Sequence, residues 1–314
     1  FVPLVDATGK SVATGSPGAV GVGPGTNAIG NQYKSMAFLV ASRKFNQTKV
    51  TLMGINDNFQ AYKNDSIKYT NVSKGGDTTN LGTLYGRRYN TNALNYRFTV
   101  GGQISTQIGN ASEGGKILIN GGAYGQFGHN PSGKFINGYH AFFYGTYSIG
   151  KWTFGPGYDI LSGNSTNVTG SAATAIGSQD NRFDPLYGTP HRWWGYMDYF
   201  YVGTGSPRSG LQDFYVRLRH DRKNFWVTLD VHHFMTAGKD VNWRAKTTDN
   251  YQKLDPTYGQ EIDLVANYQI NKFVNLETGY SVFIGAPTLA ASKGLAAGKN
   301  GYDSFNQWGC LLYT

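Results

Sequence analysis

Apolar and polar residues alternate along this chain in runs about ten residues long, each dense in aromatic side chains. The run 211–220 is the clearest. Phe214, Val216 and Leu218 fall on one side, and Asp213, Tyr215, Arg217 and Arg219 on the other. Side chains of a strand repeat every two residues, so these sets occupy opposite faces. In 225–235, Phe225, Val227, Leu229 and Val231 oppose Thr228, Asp230 and His232. In 93–103, Leu94, Tyr96, Phe98 and Val100 oppose Asn95, Arg97 and Thr99. In 258–270, Ile262, Leu264, Ala266, Tyr268 and Ile270 oppose Glu261, Asp263, Asn267 and Gln269; in 272–284, Val274, Leu276, Tyr280, Val282 and Ile284 oppose Asn275, Glu277 and Ser281. A soluble β-sandwich also alternates, but its strands average about five or six residues. Longer strands, apolar on one face and charged on the other, read as an all-β antiparallel transmembrane barrel with lipid outside and water inside.

The pattern predicts about twelve strands, with ends uncertain by about two to four residues, at 33–43, 48–57, 93–103, 115–127, 137–149, 151–160, 193–203, 211–220, 224–235, 258–270, 272–284 and 304–313. Short turns join several pairs, at 44–47, 150, 221–223 and 271–272. Long polar stretches join others, at 58–92, 161–192, 236–257 and 285–303, and two of these, 58–92 and 161–192, are candidates to fold inward. Short turns alternating with long loops suit an outer-membrane barrel. Weaker alternation at 64–72 and 81–89 marks extra strands or loop hairpins. Residues 1–31 read as a flexible Gly-rich segment of a single domain spanning 1–314. Trp152, Trp193, Trp194, Tyr199, Tyr201 and Trp226 gather near expected strand ends, where aromatic rings suit a lipid–water interface.

Composition narrows the reading. Charged residues make up 15% of the chain, well under the roughly 25% of an ordinary soluble domain. No run approaches the roughly 20 apolar residues of a membrane-crossing helix. The start Phe1-Val2-Pro3-Leu4 lacks a basic stretch followed by an apolar one, which is the expectation for a chain whose signal peptide has been removed. The lone Cys310 cannot form an internal disulfide. The net charge is +9, but the basic residues are spread rather than clustered, so nucleic acid is not the expected partner. Outer-membrane lipid, lipopolysaccharide phosphate and an anionic solute fit better, and envelope protein partners are compatible.

The candidate chemistry lies on the charged strand faces. Arg43, Arg97, Arg217, Arg219, Asp198, Asp213, Asp230, His232, Glu261, Asp263 and Glu277 are the candidate pore-lining residues. Two readings stand side by side: a charged constriction that selects solutes, and cross-strand ion pairs that fill and stiffen the barrel. Arginines left unpaired would favour anions. His232 and His233 face opposite ways on a strand and cannot chelate one ion, so no metal or other cofactor is expected. No Gly-x-Ser-x-Gly elbow is present, so the chain is read as a non-enzyme.

The segment 183–201 carries a resemblance. Phe183-Asp184-Pro185-Leu186-Tyr187-Gly188-Thr189-Pro190-His191-Arg192-Trp193-Trp194-Gly195-Tyr196-Met197-Asp198-Tyr199-Phe200-Tyr201 resembles a signature of the alginate-export family of outer-membrane proteins, in its Bacteroidetes-type branch. The signature positions are Leu186, Tyr187, Gly188, His191, Arg192, Gly195, Met197 and Asp198, with a turn leading into a strand. The resemblance implies a monomeric Gram-negative outer-membrane barrel of up to about eighteen strands. It also implies export of an anionic polysaccharide through an arginine-lined, electropositive pore. Alternatives are a plugged, partner-binding barrel and an outer-membrane enzyme.

Overall fold

The computed structural model describes residues 4–5, 11–12, 33–68, 83–110, 114–169, 172–175, 179–186, 194–200, 206–239, 241–246, 251–253, 255–292 and 306–313. Its main element is an eleven-stranded antiparallel sheet. In chain order the strands are β1 (Ser35–Phe45), β2 (Thr48–Lys68), β3 (Thr83–Asn110), β4 (Gly115–His129), β5 (Phe135–Ile149), β6 (Trp152–Leu161), β7 (Leu211–Arg222), β8 (Phe225–Met235), β9 (Thr257–Gln269), β10 (Asn275–Gly285) and β11 (Asn306–Tyr313). Each pairs only with its neighbours in sequence, giving an up-and-down meander with β1 and β11 at its edges. Among the described residues no pairing joins β1 to β11. The expected strands match this sheet with one exception, 193–203, considered below.

Period-two alternation decides the two faces. On the outer face Phe154, Phe214, Val216, Leu218, Leu229, Val231, Leu264, Leu276, Tyr280 and Ile284 are all exposed. On the inner face Thr228, Asp230, His232 and Phe234 of β8, and Glu261, Asp263, Val265 and Asn267 of β9, are buried. Apolar side chains outside and carboxylates inside invert the arrangement that water imposes. A hydrocarbon surround makes the inversion stable, because paired strands leave no backbone polar group facing lipid except at an edge.

The tight turns gather at one end of the sheet. Asn46 (φ 53°) and Gly150 (φ 56°) adopt the left-handed backbone that short hairpin turns require. Between β9 and β10, Asn271 Oδ1 accepts the amides of Phe273 (2.8 Å) and Val274 (3.0 Å). The longest connections lie at the opposite end. Of these, 58–92 is not the loop expected from its polarity. β2 and β3 stay paired from Asn58↔Tyr96 out to Lys68↔Thr83, with a register slip between Gln60 and Tyr62. The stretches 64–72 and 81–89 fall largely on this hairpin, and 69–82 lies outside the described residues. The other long stretches carry small pieces of structure: Thr166–Thr169 paired with Ala172–Ala175, Val241–Lys246 paired with Tyr251–Lys253, and helix α1 (Pro287–Ser292). Among the described residues no helix is long and apolar enough to cross a membrane. Of the segment 1–31 expected to be flexible, only Leu4–Val5 and Ser11–Val12 are described, paired with each other.

Two face assignments change. Arg43 belongs to the outer face, because its partner Val50 shares a face with the exposed Leu52 and not with the buried Asp57. Its guanidinium lies 4.8 Å from the Phe45 ring centroid, in the last residues before the tight turn. Trp226 belongs to the inner face, where Arg219 stacks over its ring at 4.3 Å, so it does not lie at the lipid interface.

Candidate functional site: the inner face and its inward segment

The connection between β6 and β7 turns back along the inner face at the long-loop end of the sheet. The strand expected at 193–203 does not form. Trp194 (φ 67°), Gly195 (φ 84°) and Asp198 (φ 56°) have positive φ, which an extended strand excludes. Trp194 and Tyr199 are therefore buried core residues, not interfacial anchors. Trp193 and Tyr201 lie outside the described residues, as do the signature positions Tyr187, Gly188, His191 and Arg192.

This segment packs against strands far apart in the sheet. Tyr199 meets Phe283 of β10 (ring centroids 4.3 Å apart), and Phe200 meets Phe234 of β8 (5.0 Å) and Tyr258 of β9 (5.1 Å). Phe183 meets His140 of β5 (5.3 Å). Leu161, Leu211 and Leu289 complete one apolar cluster. On a flat sheet β5 and β10 would stand about 24 Å apart, at roughly 4.8 Å per strand. The segment therefore lies across the inner face from β5 to β10.

Polar anchors fix the segment's other side. Arg97 of β3 is fully buried and reaches two carboxylates. It donates to Asp57 of β2 through Nε (3.0 Å) and Nη2, and to Asp184 of the segment through Nη1 (2.6 Å). Gln126 of β4 donates to the Asp184 carbonyl (2.9 Å) and accepts its amide (2.8 Å). Nearby, Arg182 donates to Asp180 through Nε (2.8 Å) and Nη2 (2.7 Å), and Asn164 adds a bond of 3.0 Å. Burial alone would raise the Asp180 carboxyl, but the Arg182 guanidinium overcomes it and holds the group at about 2. Tyr196 and Tyr199 are pushed up, chiefly by burial and then by nearby carboxylates.

The remaining candidate residues divide clearly. Asp213, Arg217, Arg219, Asp230, His232, Glu261, Asp263 and Glu277 share the inner face of β7–β10, in neighbouring registers. Arg217 forks onto Asp230 (Nε 2.8 Å, Nη2 2.5 Å), and Arg219 forks onto Asp221 (Nε 3.0 Å, Nη2 2.7 Å). His232 Nδ1 lies 2.9 Å from Asp213. Asn267 donates to Glu277 at 3.1 Å. Glu261 Oε1 accepts the amide of Met197, at 2.7 Å. Gly195 presses on the same carboxylate, since a Cβ there would fall 2.5 Å from it. Asp198 belongs to the inward segment and not to a strand.

Several site residues escape sequence reasoning. Asp57 and Asp159 do occupy alternating strand positions, so period two holds their signal. Asp180, Arg182 and Asp184 sit in an aperiodic stretch, where no pattern announces their role.

No family model matches the chain, and no curated protein matches it. Solved structures similar to it include three from Pseudomonas aeruginosa. The outer membrane protein OprD is 11% identical with a TM-score of 0.41, over 87% of this chain and 66% of its own. OccK11 (OpdR) is 12% identical with a TM-score of 0.39, over 80% and 66%. OccK10 (OpdN) is 11% identical with a TM-score of 0.38, over 81% and 78%. The chain thus spans 66% of the length of the first two.

Proposed function

We propose that this chain forms a passive channel in the outer membrane of a Gram-negative bacterium, as a single barrel domain, and that it passes small hydrophilic solutes. The carrying observation is the inversion of burial: a wall apolar on the lipid side and lined with paired charges within. Transport in this reading needs no bond chemistry, only a wet bore narrowed by the inward segment. The alginate-export resemblance would make the solute an anionic uronate polymer. Arg97, Arg182, Arg217 and Arg219 each already hold a carboxylate, so they supply little electropositive lining for one. The reading therefore stays with small solutes.

A second reading has its own support. The cluster of Phe183, Trp194, Tyr199 and Phe200 fills the long-loop half of the inner face, which favours a plugged barrel serving a larger envelope assembly. Single-channel recording of the folded protein in planar bilayers separates the two. Discrete steps are expected, growing larger when Asp184→Ala and Phe200→Ala together loosen the segment. A folded barrel that never conducts, with or without those changes, would leave the plugged reading standing.

A further inference from the structure

The inner face of β7–β10 carries more negative charge than its own cations answer. Asp213, Asp230, Glu261 and Asp263 are each almost completely buried. The registers Arg217↔Asp230, Asp230↔Asp263 and His232↔Glu261 bring them together. Arg217 is committed to Asp230 and His232 to Asp213. Glu261 Oε1 accepts the amide of Met197, the Tyr196 amide and the Asp263 carboxyl also face the group, and its Oε2 has no partner at full hydrogen-bond geometry. Asp263 is faced by the Ser281 hydroxyl and the Glu261 carboxyl, neither at full hydrogen-bond geometry, and the His232 Nε2 is 4.0 Å away. These carboxylates outnumber the guanidinium and the imidazole facing them, even with His232 protonated. A buried carboxylate with orphaned oxygens is costly, and a cation or a proton relieves it.

The surroundings fit an organic cation. The described residues hold no grouping of three or more His, Cys, Asp or Glu arranged for a metal ion. Aromatic side chains stand near this cluster instead. Tyr215 stacks on His232 at 5.3 Å, and Tyr196, partly exposed, lies within electrostatic range of Asp230 and Asp263. Carboxylates flanked by aromatic faces hold ammonium and guanidinium groups well. The Gly195–Met197 turn closes the cluster on the Glu261 side, while the Arg217 side chain, 47% exposed, marks the side open to the bore.

Resting on the channel reading, we infer that Glu261 and Asp263 form a binding site for the cationic nitrogen of a small organic solute, so that the channel prefers cations. The test has two independent arms. In the first, agmatine is titrated by calorimetry into the full chain folded in detergent. Saturable binding is expected, weakened at least ten-fold by Glu261→Gln with Asp263→Asn, and unchanged by Asp255→Asn in an exposed loop. In the second, reversal potentials in a KCl gradient are expected to show cation preference, diminished in the same double variant. Agmatine binding that the double variant leaves intact overturns the site, as does its complete absence from the folded protein. Calcium binding in place of agmatine overturns the organic-cation assignment. Binding without conductance keeps the site and removes the channel.

Discussion

Replacing Arg97 with methionine would leave two carboxylates stranded in the barrel wall. Arg97 is 2% exposed, Asp57 0% and Asp184 8%, so water cannot take over the lost bonds. Methionine keeps the apolar stem and removes the fork to Asp57 and the bond to Asp184, together with the stacking over Phe59 at 4.9 Å. Breaking a buried pair in this way costs about 3–5 kcal/mol, far more than the pair contributes net, because the penalty is that of unanswered charge. The Arg219–Asp221 pair is the internal control. Its side chains are 32% and 45% exposed, and Arg219→Met should cost under about 1 kcal/mol. Urea unfolding from lipid vesicles, followed by tryptophan fluorescence, measures both. Adding Asp57→Asn to Arg97→Met should recover part of the loss, since one stranded charge is removed. A loss at Arg97 no larger than at Arg219 would refute the reasoning, because the trio would then be solvated and the segment undocked.

Two further outcomes follow from local geometry. Gly157→Ala should destabilise by about 1–3 kcal/mol in the same unfolding assay, because its Cβ would fall 2.2 Å from the Tyr215 ring on the neighbouring strand. Asp180, held at about 2 when folded against an ordinary carboxylate value near 4, contributes about 2 kcal/mol that is complete above pH 4 and lost as pH falls through 2; Asp180→Asn should therefore be less stable than the parent at pH 7 and converge with it near pH 2.

The main sheet was legible because a lipid-facing side favours period two along each strand. At 214–219 and 227–232 each residue lies on the face its polarity foretold. The rule weakens at the edge strand β1, where Phe38 and Leu39, on opposite faces, are both exposed (68% and 74%). With both faces apolar, polarity could not orient Arg43. It failed outright at 193–203, whose aromatic alternation imitates a strand. There the choice was made by tertiary packing: the rings gain more from the inner-face cluster than from pairing, and Gly195 supplies a backbone that can turn toward it. The hydrogen bonds of Asp180 and Asp184 join residues with no common period, so single-sequence reasoning had no means to see them.

The meander has a consequence for the order in which the molecule is made. Each strand lies beside the one preceding it, so the wall can grow strand by strand, the tight-turn hairpins closing over a few residues each. The inward segment breaks that rule. It follows β6 in sequence, yet Phe234, Tyr258 and Phe283, on which its rings rest, belong to strands added later. Docking must wait for β10. The inner face thus stays uncovered while the strands are being added, and the segment covers it as the final act of folding.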